Sequence, residues 1–158
     1  MGETQAYRKQ HVVTSVVAVI VDEQDRVVLT RRGVPPFLGR WVMPGGKIGL
    51  GEPMHSALRR EVREEVGIDV SVGGLVDVFE HVAPGAGNDH HVILYFRCRP
   101  SRPELTPNPA EVTEARWVPR GELGGYDMPE GTRHVLTRLF AELGEAGGAP
   151  TPPGWRGP

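Results

Sequence analysis

Cysteine is almost missing from this chain of 158 residues: Cys98 stands alone. A single thiol excludes an internal disulfide framework. Its place in the apolar run "ILYFRCR" predicts a buried, inert group rather than a nucleophile. Charge of one sign is also lacking. The net charge is −2 and the pI about 6.3, which gives no electrostatic argument for nucleic acid or an anionic membrane. No apolar run approaches the length of a bilayer span; the longest surrounds "VVAVIV". The first residues, "MGETQAYRKQ", lack the apolar core of a signal peptide. Gly2 is followed by Ala6 where a myristoylation signal has Ser or Thr. These absences predict a soluble, cytoplasmic protein of one domain.

What is present divides into strands, one glycine-rich loop and two helices. "HVVTSVVAVIVD" is rich in β-branched residues and reads as a strand buried on both faces. The polar turn "DEQD" and the run "RVVLTRR" then predict a hairpin. "GVPPFLGR" is a loop, and "WVMPGGKIGLGE" a short strand entering a glycine-rich turn. From Glu52 to Val66 the pattern becomes helical, with Met54, Leu58, Val62 and Val66 as one apolar stripe and Gly67 as the stop. Strands follow in "IDVSVGGLVDVFEHV", interrupted near Gly73 and Gly74, in "HVILYFRCR" and in "EARWVP"; "EGTRHVLTRLFAEL" is a second amphipathic helix. Residues 1–143 form the predicted domain, and the Gly/Pro-rich tail 144–158, with Trp155, is expected to lack regular structure. The pattern as a whole points to a layered α/β fold.

One stretch works against its own stability. "REVREEVG" places Glu61, Glu64 and Glu65 on one side of a helix, where like charges repel by about 0.2–0.5 kcal/mol per pair. A solvated face neutralised by Arg59, Arg60 and Arg63 is the ordinary meaning of such a pattern. Here the acids share one side, and Gly45 and Gly46 lie just upstream, where a ligand can approach the backbone closely. Carboxylates and carbonyls are the donors that Mg²⁺ prefers, and Mg²⁺ bridges phosphate oxygens. A cation in the gap would turn the repulsion into a binding site.

The segment "GKIGLGEPMHSALRREVREEVGI" resembles the Nudix box, G-x5-E-x7-R-E-U-x-E-E-x-G-U with U a bulky aliphatic. Gly46, Glu52, Arg60, Glu61, Val62, Glu64, Glu65, Gly67 and Ile68 occupy all nine specified positions. A match of this size is specific in a way that a lone glycine motif is not. The wider order of elements extends the likeness to roughly residues 11–143. The resemblance implies an α/β/α sandwich around a mixed β-sheet, with the box as loop–helix–loop. It implies Mg²⁺, or Mn²⁺ as a substitute, held by Glu61, Glu64 and Glu65 with the carbonyl of Gly45 or Gly46. It also implies hydrolysis of a diphosphate linkage by water attacking phosphorus. Glu61 or Glu64 would orient or deprotonate that water. Arg60 joins the catalytic group by holding carboxylates with paired hydrogen bonds. Glu52 and Gly46 line the substrate's loop.

Outside the box the residues admit two readings each. Glu111, in the proline-bordered "NPAEVTEARWV", is a further catalytic acid or a surface ion pair; Glu114, at a strand start, reaches inward less easily. Arg31 and Arg32 end a strand, and one of them contacts substrate phosphate unless both are simply solvated. Trp41 is expected to pack in the core. Phe37 and Tyr126 are loop aromatics able to stack on a base. His81, His90 and His91 flank the loop "APGAGND" with Asp89; His90 is the candidate for substrate contact, against an ordinary surface role, because alternation sends His90 and His91 to opposite faces. No Cys/His spacing suggests zinc.

For the substrate, ADP-ribose and nucleotide sugars rank first and nucleoside triphosphates second. Pro84, 16 residues past Ile68, resembles a mark of ADP-ribose hydrolases, although proline in "APGAG" is also ordinary turn chemistry. The flanking layout resembles GDP-mannose hydrolases too, but those have a degraded box and attack carbon. A non-catalytic nucleotide-binding module would be expected to have lost box acids, and none is lost. A messenger-RNA cap substrate fits the family, but without a basic stripe long RNA is not expected. The expected partner is a nucleoside diphosphate-linked small molecule, with a homodimer plausible for the fold.

Overall fold

The computed structural model describes residues 11–82 and 90–147; Pro84, Asp89, Trp155 and the tail from 148 lie outside them. Seven strands run in the order β1 (Val13–Ile20), β2 (Arg26–Arg32), β3 (Trp41–Val42), β4 (Gly45–Lys47), β5 (Val70–Val82), β6 (His90–Pro100) and β7 (Val112–Pro119). Helix α1 (Met54–Val66) stands between β4 and β5, and a 3-10 turn (Arg120–Gly125) leads from β7 to helix α2 (Glu130–Gly147).

The strands form two sheets, one of four strands in the order β4-β1-β6-β5 and one of three in the order β3-β2-β7. The first is mixed: β1 runs parallel to β6, while β4 and β5 pair antiparallel with their neighbours. The expected hairpin is therefore corrected. β1 and β2 are joined by a tight turn in which Asp22 Oδ1 accepts from the backbone N–H groups of Gln24 and Arg26. The strands then part after a single bridge, Val21 to Val27. Each is apolar on both faces, and each finds its flanking partners in a different sheet: β4 and β6 for β1, β3 and β7 for β2.

Alternation along β1 divides the core. Val16, Ala18 and Ile20 face one side with Ala57, Leu58, Val62 and Val66 of α1. Val17, Val19 and Val21 face the other with Val135, Leu136, Leu139 and Phe140 of α2. One helix covers each face of the β-layer, which is the α/β/α sandwich. β5 is one continuous strand with irregular pairing around Val72–Asp77, the position of the Gly73–Gly74 interruption. α2 runs to Gly147, four residues beyond the expected helix end at Leu143.

The start of α1 also differs from the sequence reading. The helix begins at Met54, with Pro53 at the N-cap position, so Glu52 stays in the loop. Met54 is 45% exposed and lies off the apolar stripe, whose buried members are Ala57, Leu58, Val62 and Val66. Gly67 ends the helix at φ 71°, its N–H donating to the Arg63 carbonyl. Cys98 is buried and its thiol is pushed up to about 12 by that burial, in keeping with an inert role.

Candidate active site

The glycine-rich loop and α1 meet too closely for side chains. A Cβ on Gly46 would lie 2.4 Å from the Glu61 carboxylate, and one on Gly45 would lie 2.3 Å from the Val16 carbonyl oxygen. β4 can therefore press against both β1 and the acidic helix only as glycine. The Gly45 N–H donates to Glu65 Oε2 at 3.2 Å, fixing that carboxylate at the loop.

Arg60 organises the other side. Its Nε and Nη2 donate to the two oxygens of Glu52 at 2.8 and 3.0 Å, its Nη1 donates to Glu61 Oε1 at 2.9 Å and Glu64 Oε2 at 3.3 Å, and its Nη2 reaches the Lys47 carbonyl. The paired bonds from Arg60, helped by the Gly49 N–H, hold the Glu52 carboxyl down at about 2. The same bonds to Glu52 push the Arg60 guanidinium up. Glu52 thereby anchors Arg60, and Arg60 orients Glu61.

Three carboxylates converge. Oxygens of Glu61, Glu65 and Glu111 all lie within 4.8 Å of one another. Glu65 is only 6% exposed. Burial, and then the neighbouring Glu61 charge, raises its carboxyl to about 8. Glu61 is raised as well, chiefly by burial and against the pull of Arg60. Two desolvated carboxyls beside a third acid are short of positive charge. A donor set made only of carboxylate oxygens suits a hard divalent cation, so the residues fit the metal that the box implies.

Glu111 arrives there because its loop is pinned at both ends. The N–H groups of Thr106 and Asn108 donate to the carbonyls of Val66 and Glu65, capping the end of α1. The Asn108 side chain accepts from the Ala110 N–H, and its carbonyl accepts from Glu111 and Val112. On the far side the Gly33 N–H donates to the Glu111 carbonyl at 2.8 Å. Sequence reasoning missed the part played by Asn108, although Asn-Pro is a recognisable turn signal. It also missed Gly33, whose contact spans residues too far apart to read locally.

The remaining candidates are placed as follows. Glu64 stands beside the trio on the exposed side of α1, 45% exposed, touching Arg60. Arg32 lies close enough to oppose the upward shift of Glu65, while its Nε donates to the Pro36 carbonyl at 2.6 Å. Arg31 donates to the Gly39 carbonyl and faces Glu114, which also pairs with Arg116. His90 pairs with Glu80 at 2.8 Å on the β5–β6 ribbon, which β1 separates from β4. His81 lies directly opposite His91 in the same ribbon. Trp41 is half-buried against the α2-side core, edge-on to Tyr126 with the Arg116 guanidinium over its ring.

Comparison with known proteins identifies the family. The NUDIX domain family matches residues 11–140. A "MutT-like protein" of Streptomyces ambofaciens is 35% identical over 69% of this chain; the match spans 65% of that protein's length. An 8-oxo-dGTP diphosphatase of Escherichia coli (strain K12) is 31% identical, covering 78% of this chain and 92% of its own. The crystal structure of a MutT NUDIX hydrolase from Burkholderia pseudomallei superposes with a TM-score of 0.71 at 27% identity, over 80% of this chain and 97% of that one. With every box position filled and a family match over most of its length, this chain belongs to the Nudix hydrolase family.

Proposed function

We propose that this protein is a Mg²⁺-dependent pyrophosphohydrolase acting on nucleoside-linked diphosphates, with water attacking phosphorus. The observation that carries this reading is the convergence of Glu61, Glu65 and Glu111 beside a glycine loop with no room for side chains. These three would hold Mg²⁺, with Mn²⁺ as a substitute. Bound there, the cation would neutralise phosphate oxygens and acidify a water. Arg60 keeps Glu61 aimed at the site. Glu64 is the acid outside the trio and the one with most access to solvent; it takes the proton of the attacking water. Arg32, held by its loop, presents its remaining N–H groups to a phosphate oxygen.

For the substrate, nucleoside triphosphates, including oxidised ones, move ahead of ADP-ribose and nucleotide sugars. The support is the diphosphatase relative that matches along nearly its whole length. Incubation with Mg²⁺ and a panel of 8-oxo-dGTP, ordinary triphosphates, ADP-ribose and nucleotide sugars, followed by product analysis, tests both rankings. Release of nucleoside monophosphate and pyrophosphate from a triphosphate is the expected outcome. A protein that left every compound intact would be a binding module, and the proposal would fail.

A further inference from the structure

The loop between β2 and β3 carries an aromatic ring in an unusual posture. Phe37 has φ 61°, the left-handed region that a bulky L-residue rarely occupies, and the residue is 49% exposed. Such a conformation persists only where the surroundings enforce it. Here they do: the Arg40 N–H donates to the Phe37 carbonyl at 3.0 Å, the Gly39 N–H to the Arg32 carbonyl at 2.8 Å, and Arg32 Nε to the Pro36 carbonyl. The fold thus spends free energy to hold a phenyl ring out in water.

That ring is backed on one side. The Arg40 guanidinium lies 5.7 Å from its centroid and is itself fixed by Asp127 and the Met128 carbonyl. The loop is tied to the acidic trio through the Gly33–Glu111 bond, and the four residues from Gly33 to Phe37 reach at most about 14 Å. Trp41 and Tyr126 are less available, because they pack against each other and the core, with Arg116 over Trp41.

We propose that Phe37, held against Arg40, is the base-stacking residue of this enzyme, receiving the flat face of a nucleobase whose phosphates lie at Glu61, Glu65 and Glu111. This assignment rests on the nucleotide-hydrolase reading above and adds the part of the substrate that the box does not touch. Every base offers a π-face, so such a platform selects nucleosides over base-free phosphates and discriminates weakly among bases.

The test uses the full chain with Mg²⁺ and 2-aminopurine riboside triphosphate, whose fluorescence is quenched on stacking; the initial quench is read on mixing. Phe37→Gly removes the ring and accepts the positive φ without strain, so the loop keeps its backbone path. It should abolish the quench and weaken nucleotide binding about tenfold, the scale of one base–aromatic stack. Inorganic tripolyphosphate, with phosphates and no base, should compete equally well in both proteins. Phe37→Trp should restore binding of the nucleotide. Equal quenching and affinity in wild type and Phe37→Gly would overturn the assignment alone. So would an equal loss for nucleotide and tripolyphosphate, which would mark Phe37 as a support for the phosphate site. Failure of wild type to bind or cleave any nucleotide would overturn the functional reading, and this assignment with it.

Discussion

The two helices obey the same packing rule with different residues. α2 lays Val135, Leu136, Leu139 and Phe140 on one face of the β-layer, an ordinary amphipathic solution. α1 buries Ala57, Leu58, Val62 and Val66 on the other face, but adds Glu65 to the buried set and holds the Glu61 carboxylate against Gly46. A helix designed only for stability would place an aliphatic group where Glu65 sits. α1 thus gives up stability at the positions where a cation would restore it.

The largest expected difference between the two helices is chemical. Glu64→Gln should lower kcat about 10³-fold with little change in thermal stability, because Glu64 is exposed and, in the proposed mechanism, takes the proton of the attacking water. Steady-state turnover and a melting curve check it together; unchanged kcat would move the proton-accepting role to another carboxylate.

Next come the two apolar stripes themselves. Leu58→Ala in α1 and Leu136→Ala in α2 should each cost about 2–5 kcal/mol by denaturant titration, since both side chains are fully buried. Only Leu58→Ala should also weaken Mg²⁺ binding, because it loosens the helix that carries the acids. Equal Mg²⁺ affinity in both variants would detach the metal site from the packing of α1.

A third prediction concerns pH. Burial, and then the Glu61 charge, push the folded carboxyl of Glu65 up to about 8, above its ordinary 4.5. Between those values the folded protein keeps a proton that the unfolded chain has released. Metal-free stability should therefore be highest below pH 4.5 with respect to this group and fall as pH rises toward 8. The loss is on the order of 5 kcal/mol, and Glu65→Gln should flatten the slope. Saturating Mg²⁺ should reverse it, since binding favours the ionised form. A slope unaltered by Glu65→Gln would assign the pH dependence to other groups.

The smallest expected effect is at Arg60. Arg60→Lys keeps the charge and loses the fork that grips Glu52 while touching Glu61. Mg²⁺ affinity, measured by titration calorimetry, should fall about tenfold, as for other groups that orient ligands.

Much of α1 was legible because its signals are local: apolar spacing, a glycine stop and the fixed intervals of the box. The errors arose where pairing or reach is decided by distant residues. Strand propensity marked β1 and β2 correctly, but it carries no information about which neighbour accepts their hydrogen bonds, so a hairpin was expected where two sheets diverge. Met54 kept the period of the stripe and is still 45% exposed, because the helix begins there and the buried face of its first turn is formed by Ala57. Glu111 and Glu114 differ by three positions; the pinned loop carries one into the acidic trio, and the β7 ladder directs the other to Arg31 and Arg116.

By itself the sequence determined the family, the acidic helix and the glycine approach, since each depends on residues within one continuous segment whose geometry follows from helical spacing and the missing Cβ. Tertiary structure alone decided that Glu111 completes the carboxylate trio while Glu64 stays outside it. It also decided that a strained Phe37 faces water on a loop hydrogen-bonded to Glu111 through Gly33. Those outcomes depend on hydrogen bonds between residues as far apart as Gly33 and Glu111, and contacts of that range form only when the separate layers pack together.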